Sequence, residues 1–99
     1  MNANKETITV LKALADTTRI EIVRHLLNTK EAPCQDLMKK FKLAQPTLSH
    51  HFNKLVNAKV LNARKTGVLW FYSINKKYLT SIGINPQKLI ESRTEKKNA

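Results

Sequence analysis

The sequence predicts a mainly α-helical single domain that carries one two-stranded β-hairpin. Three observations point there. Apolar residues recur at helical spacing through the first 56 positions. A β-branched and aromatic run over residues 60–74 is interrupted at Thr66-Gly67, as in a hairpin. A chain of 99 residues has room for one modest core and no more.

The first helix is expected over residues 7–15. Ile8, Leu11 and Ala15 share one face, and Val10 and Leu14 lie on a second. A helix apolar on two sides in so small a domain packs against its own core and often also against a partner. Asp16 offers an oxygen to cap the next helix, 17–27. Its core stripe is Ile20, Val23 and Leu27, widened by Ile22 and Leu26, and residues 28–32 read as a loop. Pro33 suits a helix start, and residues 36–41 form a short helix with Leu37, Met38 and Phe41 inward. Residues 42–44 suffice only for a tight turn.

The stretch 45–56 organises the rest. At about 100° per residue, Leu48, Phe52, Leu55 and Val56 fall on one side of a helix. Pro46, Thr47, His50, Asn53, Lys54 and Asn57 fall on the other, with Ser49 on the border. Small polar side chains let a helix axis approach base-pair edges, and the absence of acids avoids repelling phosphate. This is the pattern of a recognition helix in a DNA major groove; an ordinary polar surface face is the plain alternative. Two short helices joined by a tight turn, the second polar outside, make a helix-turn-helix.

Residues 60–65 and 68–74 form the hairpin, with Gly67 supplying a positive φ at the turn. Arg64 and Lys65 stand beside its tip, suited to phosphate or the minor groove. Val68, Trp70, Tyr72 and Ile74 alternate with Leu69, Phe71 and Ser73, and the aromatic trio is expected to cover helices rather than stack on bases. Asn75 caps a closing helix, 76–82, with Tyr78, Leu79 and Ile82 as its apolar positions. Gly83 ends it, and Pro86 opens a continuation through Leu89 and Ile90. The elements add up to a winged helix-turn-helix domain over residues 1–90, followed by a flexible charged tail, 91–99.

Charge agrees with that outline. Eighteen basic against seven acidic residues give +11, which suits a polyanionic partner, nucleic acid or an anionic membrane. No apolar run approaches the roughly 20 residues that span a bilayer, and the first residues lack a signal peptide's apolar stretch. One cysteine excludes an intrachain disulfide and fits a reducing, cytoplasmic setting. An enzyme with Cys34 as nucleophile is disfavoured, because the chain has neither a Gly-rich phosphate loop nor an acidic pair. Lys39, Lys40 and Lys42 sit beside the turn, within reach of phosphate. His25 is expected at the surface, His50 at DNA, and His51 in packing or on phosphate. Neighbouring His50 and His51 diverge by about 100° on a helix and do not chelate one ion.

Residues 11–19 (LKALADTTR), 43–51 (LAQPTLSHH) and 67–73 (GVLWFYS), with their spacing, resemble the ArsR/SmtB family of small bacterial repressors. The resemblance covers most of residues 10–74. It implies a homodimer joined by the first and last helices, here Ile8, Leu11, Tyr78, Leu79 and Ile82. It also implies repression at a palindromic double-stranded operator in the bacterial cytoplasm, at the nucleoid. The family's base-reading positions fall on Gln45, Pro46, Thr47, Ser49 and His50, and its wing on Arg64, Lys65 and Gly67; Asn53 and Lys54, from the polar face of the helix, complete the expected DNA-binding residues. Family members usually have a small polar residue where Pro46 stands. Many sense metal through a Cys-x-Cys pair ahead of Asp-Leu; counted back from Asp36-Leu37, those places hold Pro33 and Gln35, with Cys34 between them. A thiolate site needs about three or four donors. Others use the closing helix, but after Ile74 this chain has no His or Asp, only Glu91 and Glu95. No metal and no cofactor are therefore expected. Redox sensors of the family use two cysteines; Cys34, at a helix start that lowers thiol pKa, is the one redox candidate here, against plain packing. The competing function is RNA or single-strand binding by the same winged helix.

Overall fold

The structure, a computed structural model, describes residues 2–91. Residues 92–99, most of the expected tail, lie outside the described residues. The order is α1 (Asn2–Leu14), α2 (Thr17–Leu27), β1 (Ala32–Pro33), α3 (Cys34–Phe41), α4 (Gln45–Asn57), β2 (Leu61–Thr66), β3 (Leu69–Ile74) and α5 (Lys76–Ser81). A π-helical turn, Gln87–Glu91, follows. Among the described residues, no helix is long and apolar enough to cross a membrane.

α1 begins five residues before the apolar periodicity does. Of its two apolar faces, Val10 and Leu14 turn inward with Ala13, while Ile8, Leu11 and Ala15 face out. Asp16 caps α2 as expected, its carboxylate accepting the Arg19 N–H at 3.0 Å. α2 is overlaid by α1, α4, β3 and the final turn. Its buried arc is therefore centred on Ile22, Val23 and Leu26, and Ile20 is only half-buried, a correction to the expected stripe.

The expected 28–32 loop ends in a strand. Ala32 and Pro33 pair antiparallel with Tyr72 and Phe71, so the hairpin gains an edge strand and the sheet order is β1-β3-β2. Two residues are too few to show alternation, and proline is tolerated at a sheet edge because it need not donate to a ladder. In the hairpin, Thr66 pairs with Leu69 around a two-residue turn, Gly67-Val68. Gly67 has φ +63, and a positive φ at the first central residue alone is a type II′ turn, whose twist matches the strands. α5 is capped by Asn75, whose side chain accepts the Tyr78 N–H at 3.2 Å. One continuous core joins the elements, with Phe52, Ile22, Leu26, Leu37, Leu48 and Leu55 at its centre.

The Asp16 cap generates a pH-dependent prediction. Its carboxyl is held below the usual aspartate value, first by the Arg19 backbone N–H and then by the Arg19 and His51 charges, against a desolvation that raises it. With the folded value the lower one, the contribution is complete above the unfolded aspartate value of about 3.9 and fades as pH falls through the folded value. Asp16→Ala should cost about 1 kcal/mol at neutral pH, and Asp16→Asn much less. In urea unfolding, the gap between wild type and Asp16→Ala should narrow as pH falls below the unfolded aspartate value of about 3.9, while the gap between Asp16→Asn and Asp16→Ala should not change with pH. A wild-type gap that stayed constant with pH would show that the carboxylate does not act as the cap.

Candidate nucleic-acid interface

α4 starts after Ala44, which contributes no side-chain cap, and carries Pro46 in its first turn, where a missing N–H is harmless. Leu48, Phe52 and Leu55 are buried and Val56 half-buried. Gln45, Pro46, Thr47, His50, Asn53, Lys54 and Asn57 are all exposed, and Ser49 lies half-buried at the margin. The expected division of the helix therefore appears in the structure. α3 leads into it through Lys42, a left-handed residue with φ 54 whose N–H donates to the Met38 carbonyl at 2.8 Å. Lys39, Lys40 and Lys42 are exposed around that turn.

Two contacts fix the pose of α4. Phe52 stacks on Tyr72 of β3, with ring centroids 4.0 Å apart and planes inclined by 21°. His51 is drawn to the α1–α2 corner. Arg19 Nη1 lies 3.2 Å from its Nδ1, and Asp16 Oδ1 lies 3.8 Å from the same nitrogen. Arg19 also donates from Nε to the Ala13 carbonyl at 2.6 Å. Of its two expected roles, His51 thus has the packing one. His25, expected at the surface, is half-buried and stands edge-on to the Phe41 ring of α3 at 6.2 Å.

The wing separates the two cations that the sequence places together. Arg64 donates from Nε and Nη2 to the two Glu31 oxygens at 2.9 and 2.8 Å, donates to Thr66, and lies over the Phe71 ring at 4.8 Å. The pair shifts both groups: Arg64 holds Glu31 below the usual carboxylate range, and Glu31 raises Arg64. Lys65, on the opposite strand face, places its ammonium 5.7 Å from the Trp70 ring centroid. Among the described residues it has no acidic partner. Glu31 has no local signal for its role, since it meets Arg64 from 33 positions away.

The aromatic trio does not share one fate. Tyr72 is buried, Phe71 half-buried, and Trp70 42% exposed, so Trp70 is not the core residue expected. The same face of the hairpin runs from core at Ile74 to solvent at its tip.

Cys34 opens α3 in a hollow beside Met38, Gln45 and Trp70. The helix start does not lower its thiol pKa; burial pushes it up, which corrects the low-pKa expectation. Among the described residues no three His, Cys, Asp or Glu side chains come together to hold a metal ion, and the amide and thioether neighbours of Cys34 do not fit one. On the remaining surface, Ile8 and Leu11 are exposed, and Tyr78 and Ile82 half-buried. Leu79 lies wholly in the core and is not available to a partner, a correction to its expected place in an interface.

The model of the arsR family of bacterial regulatory proteins matches residues 16–63, from the cap of α2 into β2. The arsenical resistance operon repressor of Staphylococcus xylosus is 41% identical over 81 residues, which cover 82% of this chain and 77% of that protein. The transcriptional repressor SdpR of Bacillus subtilis is 35% identical over 67% of this chain and 72% of its own length. HlyU from Vibrio cholerae superposes with a TM-score of 0.71 at 26% identity, covering 80% of this chain and 85% of that one. The chain belongs to the arsR family of bacterial regulatory proteins, as a winged-helix DNA-binding transcription regulator and not an enzyme.

Proposed function

We propose that this protein is a repressor that works as a homodimer on a palindromic duplex operator in the cytoplasm. The observation that carries the reading is the exposed, acid-free face of α4. Gln45, Pro46, Thr47, Ser49 and His50 stand at its N-terminal half, where a recognition helix meets base edges. Asn53 and Lys54 continue toward the backbone. Lys65 and the Gly67 turn reach phosphate from the wing. Arg64 contributes less there, because Glu31 already neutralises it. Single-strand or RNA binding is less well supported: a stacking platform needs several free rings, whereas Tyr72 lies under Phe52 and Phe71 under Arg64. No step in this reading passes through a metal.

The unpartnered apolar face of α1, Ile8 and Leu11, is the proposed dimer contact, with Tyr78 and Ile82 beside it. Tyr78 lies near enough to α1 that desolvation, and then the Glu6 carboxylate, raise its hydroxyl. A two-fold partner would set two copies of α4 about 34–36 Å apart, one DNA turn. Residues 1–90 then act as one domain that both binds DNA and dimerises.

His50→Ala and Ser49→Ala should each cost about 1–3 kcal/mol on a palindromic duplex selected from a random pool, and much less on unselected duplex. Lys65→Ala should weaken both by similar factors, and Arg64→Ala should do so less. Fluorescence anisotropy on labelled duplexes measures this. Equal losses from all four variants on both DNAs would remove α4 as the reader.

Leu11→Asp, at an exposed position, should leave the fold intact and yield monomers in sedimentation, with selected-duplex binding lost and weak non-specific binding kept. A wild type that sediments as a monomer at micromolar concentration would contradict the dimer.

A further inference from the structure

The groove between α4 and the hairpin has a chemistry of its own. Gln45, Ser49 and Asn53, spaced four apart, form one row along its helical wall, and Trp70 forms the opposite wall around a hollow of about 320 Å³. A second hollow of about 260 Å³ continues along Trp70 to Val68 at the wing turn. Along β3 one face opens steadily: Ile74 is 8% exposed, Tyr72 9%, Trp70 42% and Val68 87%. Trp70 stands where the face leaves the core, turned toward the recognition helix.

We propose that Trp70 seats a DNA sugar–phosphate strand in this groove, a backbone contact of its own that lies between the base-reading face and the wing tip. The proposal rests on the duplex-DNA reading above. No Asp or Glu lines either hollow, so an anion meets no repulsion there. One wall offers amides and a hydroxyl. The other offers an indole face, with an N–H that meets no acceptor among the described residues and with the Lys65 ammonium 5.7 Å from the ring. A strand that alternates apolar deoxyribose with anionic phosphate matches both walls. Sugar carbons cover the ring, and phosphate oxygens accept from the indole, the Asn53 amide and the Lys65 ammonium, while Gln45 and Ser49 border the strand from the base-reading side. Position agrees with chemistry. With α4 in a major groove and the wing over the adjoining minor groove, the backbone that divides the two must cross between them, beside Trp70.

Trp70 is the only tryptophan in the chain, so its emission reports on this groove alone. The full-length protein is titrated with selected duplex, unselected duplex and single-stranded DNA of equal length. Binding is followed independently by anisotropy of the labelled DNA, and Trp70 by acrylamide quenching. Saturation with either duplex should lower the quenching constant at least about twofold. Trp70→Ala should weaken both duplexes about tenfold, and Trp70→Phe, which keeps ring area but loses the N–H, about threefold. Should Trp70→Ala fail to fold by circular dichroism, the quenching of wild type and the affinity of Trp70→Phe still decide. Duplex binding with unchanged quenching overturns the seat and leaves the duplex reading standing. Stronger protection by single-stranded DNA, or a loss confined to the selected duplex, also overturns it, as a stacking or base contact instead. Absence of any duplex binding by anisotropy overturns the duplex reading and the seat together.

Discussion

The stack of Phe52 on Tyr72 sets the relation between the two elements that face DNA. Phe52 belongs to the buried side of α4, and Tyr72 to the central strand of the sheet. Residues opposite Tyr72 on both flanking strands are alanines, Ala32 and Ala63. Directly opposed residues share a sheet face, so the small neighbours leave room for a ring to lie flat on Tyr72. Such a pair adds roughly 0.5–1.5 kcal/mol beyond the area it buries. Its geometric effect matters more: it fixes how far the polar face of α4 stands from the wing, and so the width of the groove that Trp70 borders.

Charge is divided between framework and surface in this basic chain. Arg19 and His51 link the cap of α2 to α4, so the corner that starts the bundle also holds the reading helix. Arg64 ties β2 to the segment ahead of β1 through Glu31, which braces the edge strand. Partly exposed pairs of this kind contribute little stability; they hold positions. Lys54 on α4 and Lys65 on the wing, two of the cations without an acidic partner among the described residues, border the proposed DNA path. A net charge of +11 per chain attracts the duplex, and a homodimer, as proposed, would double it.

Much of this was legible in the sequence where the signal is local. The two sides of α4, the Asp16 and Asn75 caps and the Gly67 turn each rest on a few neighbouring residues, and each stands within a residue or so of its expected place. What was not legible depends on distance. β1 exists because Ala32 meets Tyr72 across forty positions of chain, with no periodicity of its own. Glu31 looks like any loop acid until Arg64 reaches it. Alternation tells which side of β3 Trp70 occupies, but not where the strand leaves the core. Cys34 shows two local rules in conflict: its place at a helix start lowers a thiol pKa, and the burial that tertiary packing imposes raises it.

The central claim is that this basic surface engages the backbone of duplex DNA, and the salt dependence of binding tests it most directly. If roughly eight phosphates are neutralised, log K for a duplex should fall with log salt at a slope of about −7. A slope near −1 would mean that the basic charge does not meet the backbone, and would contradict the account.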